Sequence, residues 1–196
     1  MLEIKQIEEA VIELKKDFVK NEAKFMEIND HDFLSLVLLS PAVGLALGNE
    51  SVSLFEELAL NKKARKLSFG GYFWKKDPVV IAMGHLIRNY RNWEEKFFTL
   101  LRLVMNEVLE LDSMVFEETS DEKITPNSFR REVLKAPYGF VRFISSFFCK
   151  DDDDLINAEQ RNLAPKDFDA VVDIGNKLNL DKVPIFRHFC ETYHMK

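Results

Sequence analysis

Apolar side chains recur at Ile4, Ile7, Val11, Leu14, Phe18, Phe25 and Ile28, with Asn21 completing alternate spacings of three and four. That rhythm predicts an opening helix with one narrow apolar seam, because about 3.6 residues complete a turn. Asn21 is the only polar seam residue, and a lone polar side chain there sets register and partner number in a coiled coil. Residues 4–28 are therefore expected either to lie on the body of their own chain or to pair with a second copy.

Downstream, Asp32 stands as the expected cap of a second helix that is almost entirely apolar, and such a helix belongs at the centre of a fold. Pro41, preceded by Ser40, is expected to kink or restart it. Gly48 closes the segment. Ser53 and Glu56 have the spacing of a capping box for a third helix running through Leu54, Phe55, Leu58 and Leu67, with Gly70–Gly71 as its stop. Asp77–Pro78 then pairs a cap with a first-turn proline. From there Met83, Leu86, Tyr90, Trp93, Phe97, Leu100, Leu101, Val104, Val108 and Leu111 keep helical spacing over about thirty residues, on the order of 50 Å.

Residues 112–125 carry five acids without apolar rhythm and read as a surface loop. Shorter helices are expected to follow Pro126 and Pro137, and then at about 155–163, 165–178 and 182–194. Two-residue alternation is missing throughout. The expectation is an all-α fold, a compact bundle of about eight helices around one long central helix. It is read as a single domain, 1–196, divisible if anywhere near residues 112–125.

Composition narrows the class. The 196 residues are 46% hydrophobic and 31% charged, the balance of a globular chain. Seven Gly and six Pro leave few turns, which agrees with long helices. Seventeen Phe point to an aromatic interior, or to an apolar pocket lined by them. Cys149 and Cys190 are too few for a disulfide framework and lack zinc-site spacing. No secretory h-region opens the chain. The longest apolar run, Phe33–Leu47, is shorter than the roughly twenty residues of a membrane span. A cytoplasmic protein is expected.

Charge changes the picture most. Residues 60–102 hold ten Lys/Arg against three acids, a net of +7, between flanks of −7 and −6 in a chain of −6. Such a basic middle is either compensated internally or presents a face to an anion. Lys62, Lys63, Arg65, Lys66, Lys75 and Lys76, interleaved with Tyr72 and Trp74, are the candidate polyanion- or partner-binding residues, since cations neutralise phosphates while aromatics stack on bases. Cations at a helix C-terminus also complement its macrodipole.

Catalytic and metal chemistry leave little trace. Asp151–Asp154 resembles the magnesium-binding run of class I terpenoid synthases, but the position four beyond Asp151 is Leu155, so an acidic helix cap is expected. Glu191 and His194 have Glu-x-x-His spacing without the second such motif that a di-iron bundle needs. His85 reads as a hydrogen-bonded core histidine. No nucleophile elbow, phosphate loop or dinucleotide fingerprint occurs. No metal or cofactor is expected, and no catalytic residue is assigned.

One tail segment, Ile174 to Phe189, resembles the helix-turn-helix of tetracycline-repressor proteins: Gly175 follows an apolar residue, Leu180 ends the turn, and Phe186–Arg187–His188–Phe189 lie on the second helix. That resemblance implies DNA contacts by Lys182, Arg187 and His188. Residues 155–196 nevertheless carry six basic and six acidic residues, little charge for holding a duplex. The expected function is protein–protein interaction or regulation without catalysis. A DNA-binding regulator and an enzyme or small-ligand binder with a Phe-lined pocket are the alternatives.

Overall fold

A computed structural model describes residues 1–48, 52–68, 77–109, 161–163, 165–182, Phe186, Cys190 and 193–195. Five α-helices account for most of them, and the architecture is an all-α packed bundle. The chain divides into two compact units, Met1–Val104 and Met105–Lys196.

In the first unit, α1 spans Lys5–Glu22. Its seam does turn inward: Ile7, Val11 and Phe18 are fully buried. The heptad ends with the helix, however. Asn21 is exposed and donates through Nδ2 to the Asp17 carbonyl and Oδ1, both at 2.8 Å, closing on its own helix. Beyond the helix Phe25 is wholly exposed, while Ile28 is buried.

Helix α2 spans Asp30–Leu47. Its cap is Asn29 rather than Asp32. The Asn29 Oδ1 accepts from the Asp32 amide at 2.7 Å, and Asp32 Oδ2 accepts from Asn29 Nδ2 at 2.8 Å. This reciprocal pair satisfies one orphan amide and leaves the carboxylate of Asp32 buried with a partner. At eighteen residues and mean hydropathy 1.3, α2 is apolar enough by length and composition to cross a membrane, longer than its uninterrupted apolar run suggested. Within the fold 56% of it is buried, as the central position expected of it requires.

Pro41 does not end α2. Proline lacks the amide that would bond the carbonyl four residues back, which is Val37. Ser40 supplies the missing donor: its Oγ donates to the Val37 carbonyl at 2.7 Å, in a fully buried setting. The serine–proline pair thus carries the helix through.

Helix α3 spans Leu54–Leu67 and opens with the capping box read from the sequence: Ser53 Oγ accepts from the Glu56 amide, and Glu56 Oε2 accepts from the Ser53 amide at 2.8 Å. It packs on α2 through Leu60 and Ala64, its two buried residues, and the Ser35 hydroxyl of α2 reaches the Leu67 carbonyl at 3.3 Å.

Helix α4, Pro78–Leu109, starts where the Asp–Pro signal placed it, with Asp77 Oδ1 accepting from the Val79 amide at 3.0 Å. Met83, Leu86, Tyr90, Trp93, Phe97, Leu100, Leu101 and Val104 are buried as their spacing required. One feature departs from a continuous helix: Asn89 is non-helical, at φ −119° and ψ 23°. Its amide is held from α1 by Glu22 Oε2, and Glu22 Oε1 accepts from the Trp93 indole at 2.7 Å. The break thus falls on the face of α4 that α1 holds, where Trp93 and Lys96 are also bonded to Glu22 and Asp17.

Three helices meet in an aromatic cluster. The Phe18 ring lies 5.7 Å from Phe33, 4.9 Å from Trp93 and 5.7 Å from Phe97, and Phe33 lies 5.8 Å from Phe97. The edge-on and tilted arrangements are those that the ring quadrupoles favour.

The second unit holds α5, Pro165–Lys177, a 3-10 turn at Leu180–Lys182, and two three-residue strands, β1 (Arg161–Leu163) and β2 (Tyr193–Met195). The strands pair in parallel, Asn162 opposite His194. Helices expected at 155–163 and 182–194 therefore end or begin otherwise than read: these stretches are too short to show two-residue alternation, and pairing across some thirty residues is invisible locally. Asn179, at φ 58°, breaks the chain after α5. A Cβ on Gly175 would fall within the Phe186 ring, so glycine is required there for close approach. The short helices expected after Pro126 and Pro137 and the loop at 112–125 lie outside the described residues.

Ser40→Ala is expected to cost about 1–3 kcal/mol by stranding the buried Val37 carbonyl. Phe18→Ala should cost about 3–5 kcal/mol. Urea unfolding monitored by circular dichroism measures both, and a Ser40→Ala protein as stable as the parent would refute the role given to that hydroxyl.

Candidate functional site

The basic middle of the sequence resolves into two kinds of cation. On α4 two are compensated within the chain: Lys96 Nζ pairs with Asp17 at 2.6 Å and sits 4.8 Å from the Trp93 ring centroid, and Arg102 pairs with Glu95 at 2.7 Å. On α3 they are presented outward. Lys62, Lys63, Arg65 and Lys66 are all exposed, and no described carboxylate pairs with Lys62, Arg65 or Lys66. Arg65 and Lys66 also lie in the last turn, where positive charge complements the helix dipole.

Among the described residues of the first unit, the same helix carries the largest exposed apolar group. Leu54 is 69% exposed, Phe55 83% and Leu58 57%. At 100° per residue, Leu54, Phe55, Leu58, Lys62, Arg65 and Lys66 share an arc of about 120°. Leu60 and Ala64 lie on the opposite side, against α2. The acids Glu56 and Glu57 fall outside the arc, and Glu56 is engaged in the cap. Leu54, Phe55 and Leu58 are mutual neighbours at spacings of three and four, and together expose on the order of 400 Å², the size at which patches on monomers are often functional.

Leu54, Phe55 and Leu58 belong to the apolar pattern that forms this helix, and their place in the site becomes visible in its packing. A signal for their outward position was present. The stripe through Leu54 and Leu58 continues into Lys62 and Arg65, whereas the stripe through Leu60, Ala64 and Leu67 itself holds no cation. Only the second can be buried without stranding cations. The small Ala64 lets α3 approach α2 closely.

Of the remaining candidates, Tyr72, Trp74, Lys75 and Lys76 lie outside the described residues, as do Arg187, His188 and Asp151–Asp154. Lys182 ends the 3-10 turn. His194 is in a strand, so the Glu191-x-x-His194 spacing does not stand on a helix face. His85 is half-buried rather than core, with Nδ1 3.3 Å from the Arg88 guanidinium. Among the described residues no three His, Cys, Asp or Glu side chains come together as a metal site.

Two open grooves flank the segment joining α1 and α2. One, of about 630 Å³, is lined by Lys15, Lys16 and Lys20 over Met26 and Ile28, and Lys15 is paired with Asp30. The other, of about 550 Å³, lies beside Phe25, Pro78 and Ile81. The rings of Phe18, Phe33 and Phe97 pack on each other. No protein-family model, curated protein or solved structure matches the chain.

The two faces of α3 should separate cleanly in stability. Leu60→Ala is expected to cost about 2–5 kcal/mol. Phe55→Ser should change the unfolding free energy by less than about 0.5 kcal/mol. Denaturant titration of both variants gives the comparison, and the reverse order would mean that α3 packs through its other side.

Proposed function

We propose that this is a non-catalytic cytoplasmic helical protein that acts by binding, and that the outward face of α3 is its working surface, directed at an acidic macromolecular surface. The observation that carries the reading is the coincidence, on one arc, of unpaired cations with exposed Leu and Phe. Uncompensated charge in a chain of net −6 favours an external counter-charge, and exposed apolar side chains gain by leaving water. Neither feature serves the packing of α3, which uses Leu60 and Ala64.

Regulation or assembly through such contact is the role this surface suits, and the periodicity of the sequence supports about eight helices in a single domain as its scaffold. Self-association through the α1 seam is the weaker mode, because Ile7, Val11 and Phe18 are already covered by the chain itself.

Replacing Lys62, Arg65 and Lys66 by Glu should leave the thermal midpoint unchanged and abolish retention on immobilised heparin at low salt. Parent protein that passes through such a column without salt-sensitive retention would sink the reading.

A further inference from the structure

The geometry points to an anionic lipid bilayer as the acidic surface that α3 engages, with Leu54, Phe55 and Leu58 entering the headgroup–acyl boundary while Lys62, Arg65 and Lys66 hold lipid phosphates and carboxylates; the inference rests on α3 being the working surface. Charge complementarity selects the occupant. The arc of about 120° carries three apolar and three cationic side chains and no acid, so apolar contact and attraction to anionic headgroups act from the same side of the helix. Acidic residues of α3 are kept off it, Glu56 by its place in the cap and Glu57 by its position beyond Leu54.

The order along the helix adds a direction. Apolar residues occupy the first two turns and cations the last two, with their centres about nine residues or about 13 Å apart. The α3 N-terminus therefore enters deepest, and the long Lys and Arg side chains reach back to the headgroups, their stems covering apolar surface. A convex helix with protruding Phe55 and Leu58 needs a deformable counter-surface, which lipid supplies without a matching pocket. Anionic leaflets draw basic segments near their surface, so three cations support binding that is reversible and sensitive to salt. This is attachment to one face of a bilayer, independent of the apolar length of α2.

Co-sedimentation of the full chain with vesicles tests it. Vesicles of phosphatidylcholine with about a third phosphatidylserine should carry the protein down, pure phosphatidylcholine should not, and raised salt should release it. The Phe55→Ser/Leu58→Ser variant should lose at least about tenfold in partitioning while keeping heparin retention, since only insertion needs those side chains. The Lys62→Glu/Lys66→Glu variant should lose vesicles and heparin together. Matching circular dichroism melts keep each loss from being an unfolding effect. Heparin retention without vesicle binding would overturn the bilayer and leave an acidic protein surface as the target. Vesicle binding unaffected by Phe55→Ser/Leu58→Ser would also overturn it, since charge alone would then account for the adsorption. Failure of both vesicle and heparin binding would remove the α3 reading itself.

Discussion

The ring of Phe18 is the piece on which the first unit closes. It meets Phe33 of α2 and both Trp93 and Phe97 of α4, so a single side chain from α1 holds two other helices in contact with the first. Rings of this size each bury on the order of 150–250 Å² and interlock edge to face, which makes their mutual placement specific as well as favourable. One turn further on, Glu22 accepts from the Trp93 indole and the Asn89 amide. The aromatic cluster supplies apolar burial. The carboxylate sets which turn of α4 faces the end of α1, and α4 leaves helical geometry at the residue it holds.

Several polar groups inside this unit are held by a specific partner. Ser40 offsets the amide that Pro41 lacks, Asn29 and Asp32 satisfy one another, and Ser35 reaches across to the end of α3. Each pairing lets an apolar helix contain residues that would otherwise be costly in a core, where an unpaired polar group loses its water without compensation. They explain how α2 is at once nearly uniformly apolar and punctuated by Ser, Pro and Asp.

Against that well-partnered interior, α3 stands out. Its inner side is minimal, a Leu and an Ala against α2, while its outer side leaves Leu, Phe, Lys and Arg facing water. Two cations of α4 illustrate the alternative: Lys96 and Arg102, equally basic in sequence, are tied to Asp17 and Glu95. Among the described residues the contrast is between Lys62, Arg65 and Lys66, which face water beside exposed Leu and Phe, and Lys96 and Arg102, which are tied to carboxylates.

Local chemistry was legible from the residues alone wherever a signal acts within one turn. The Ser53–Glu56 box, the Asp77–Pro78 start and the buried spacing from Met83 to Val104 are of this kind, because capping and helical periodicity depend only on neighbours three or four positions away. The all-α character followed from the same periodicity. What depended on distant partners was decided by tertiary structure: the cap that fell to Asn29, the uninterrupted passage through Pro41, the break at Asn89 on the face of α4 that α1 holds, and the pairing of Arg161–Leu163 with Tyr193–Met195 across the tail. The candidate site divides along the same line. Its cations were evident from composition, but an apolar residue in a sequence does not say which neighbour covers it. Packing chose Leu60 and Ala64 for α2 and left Leu54, Phe55 and Leu58 outside, since only a face free of charge can be buried without stranding a cation in the core.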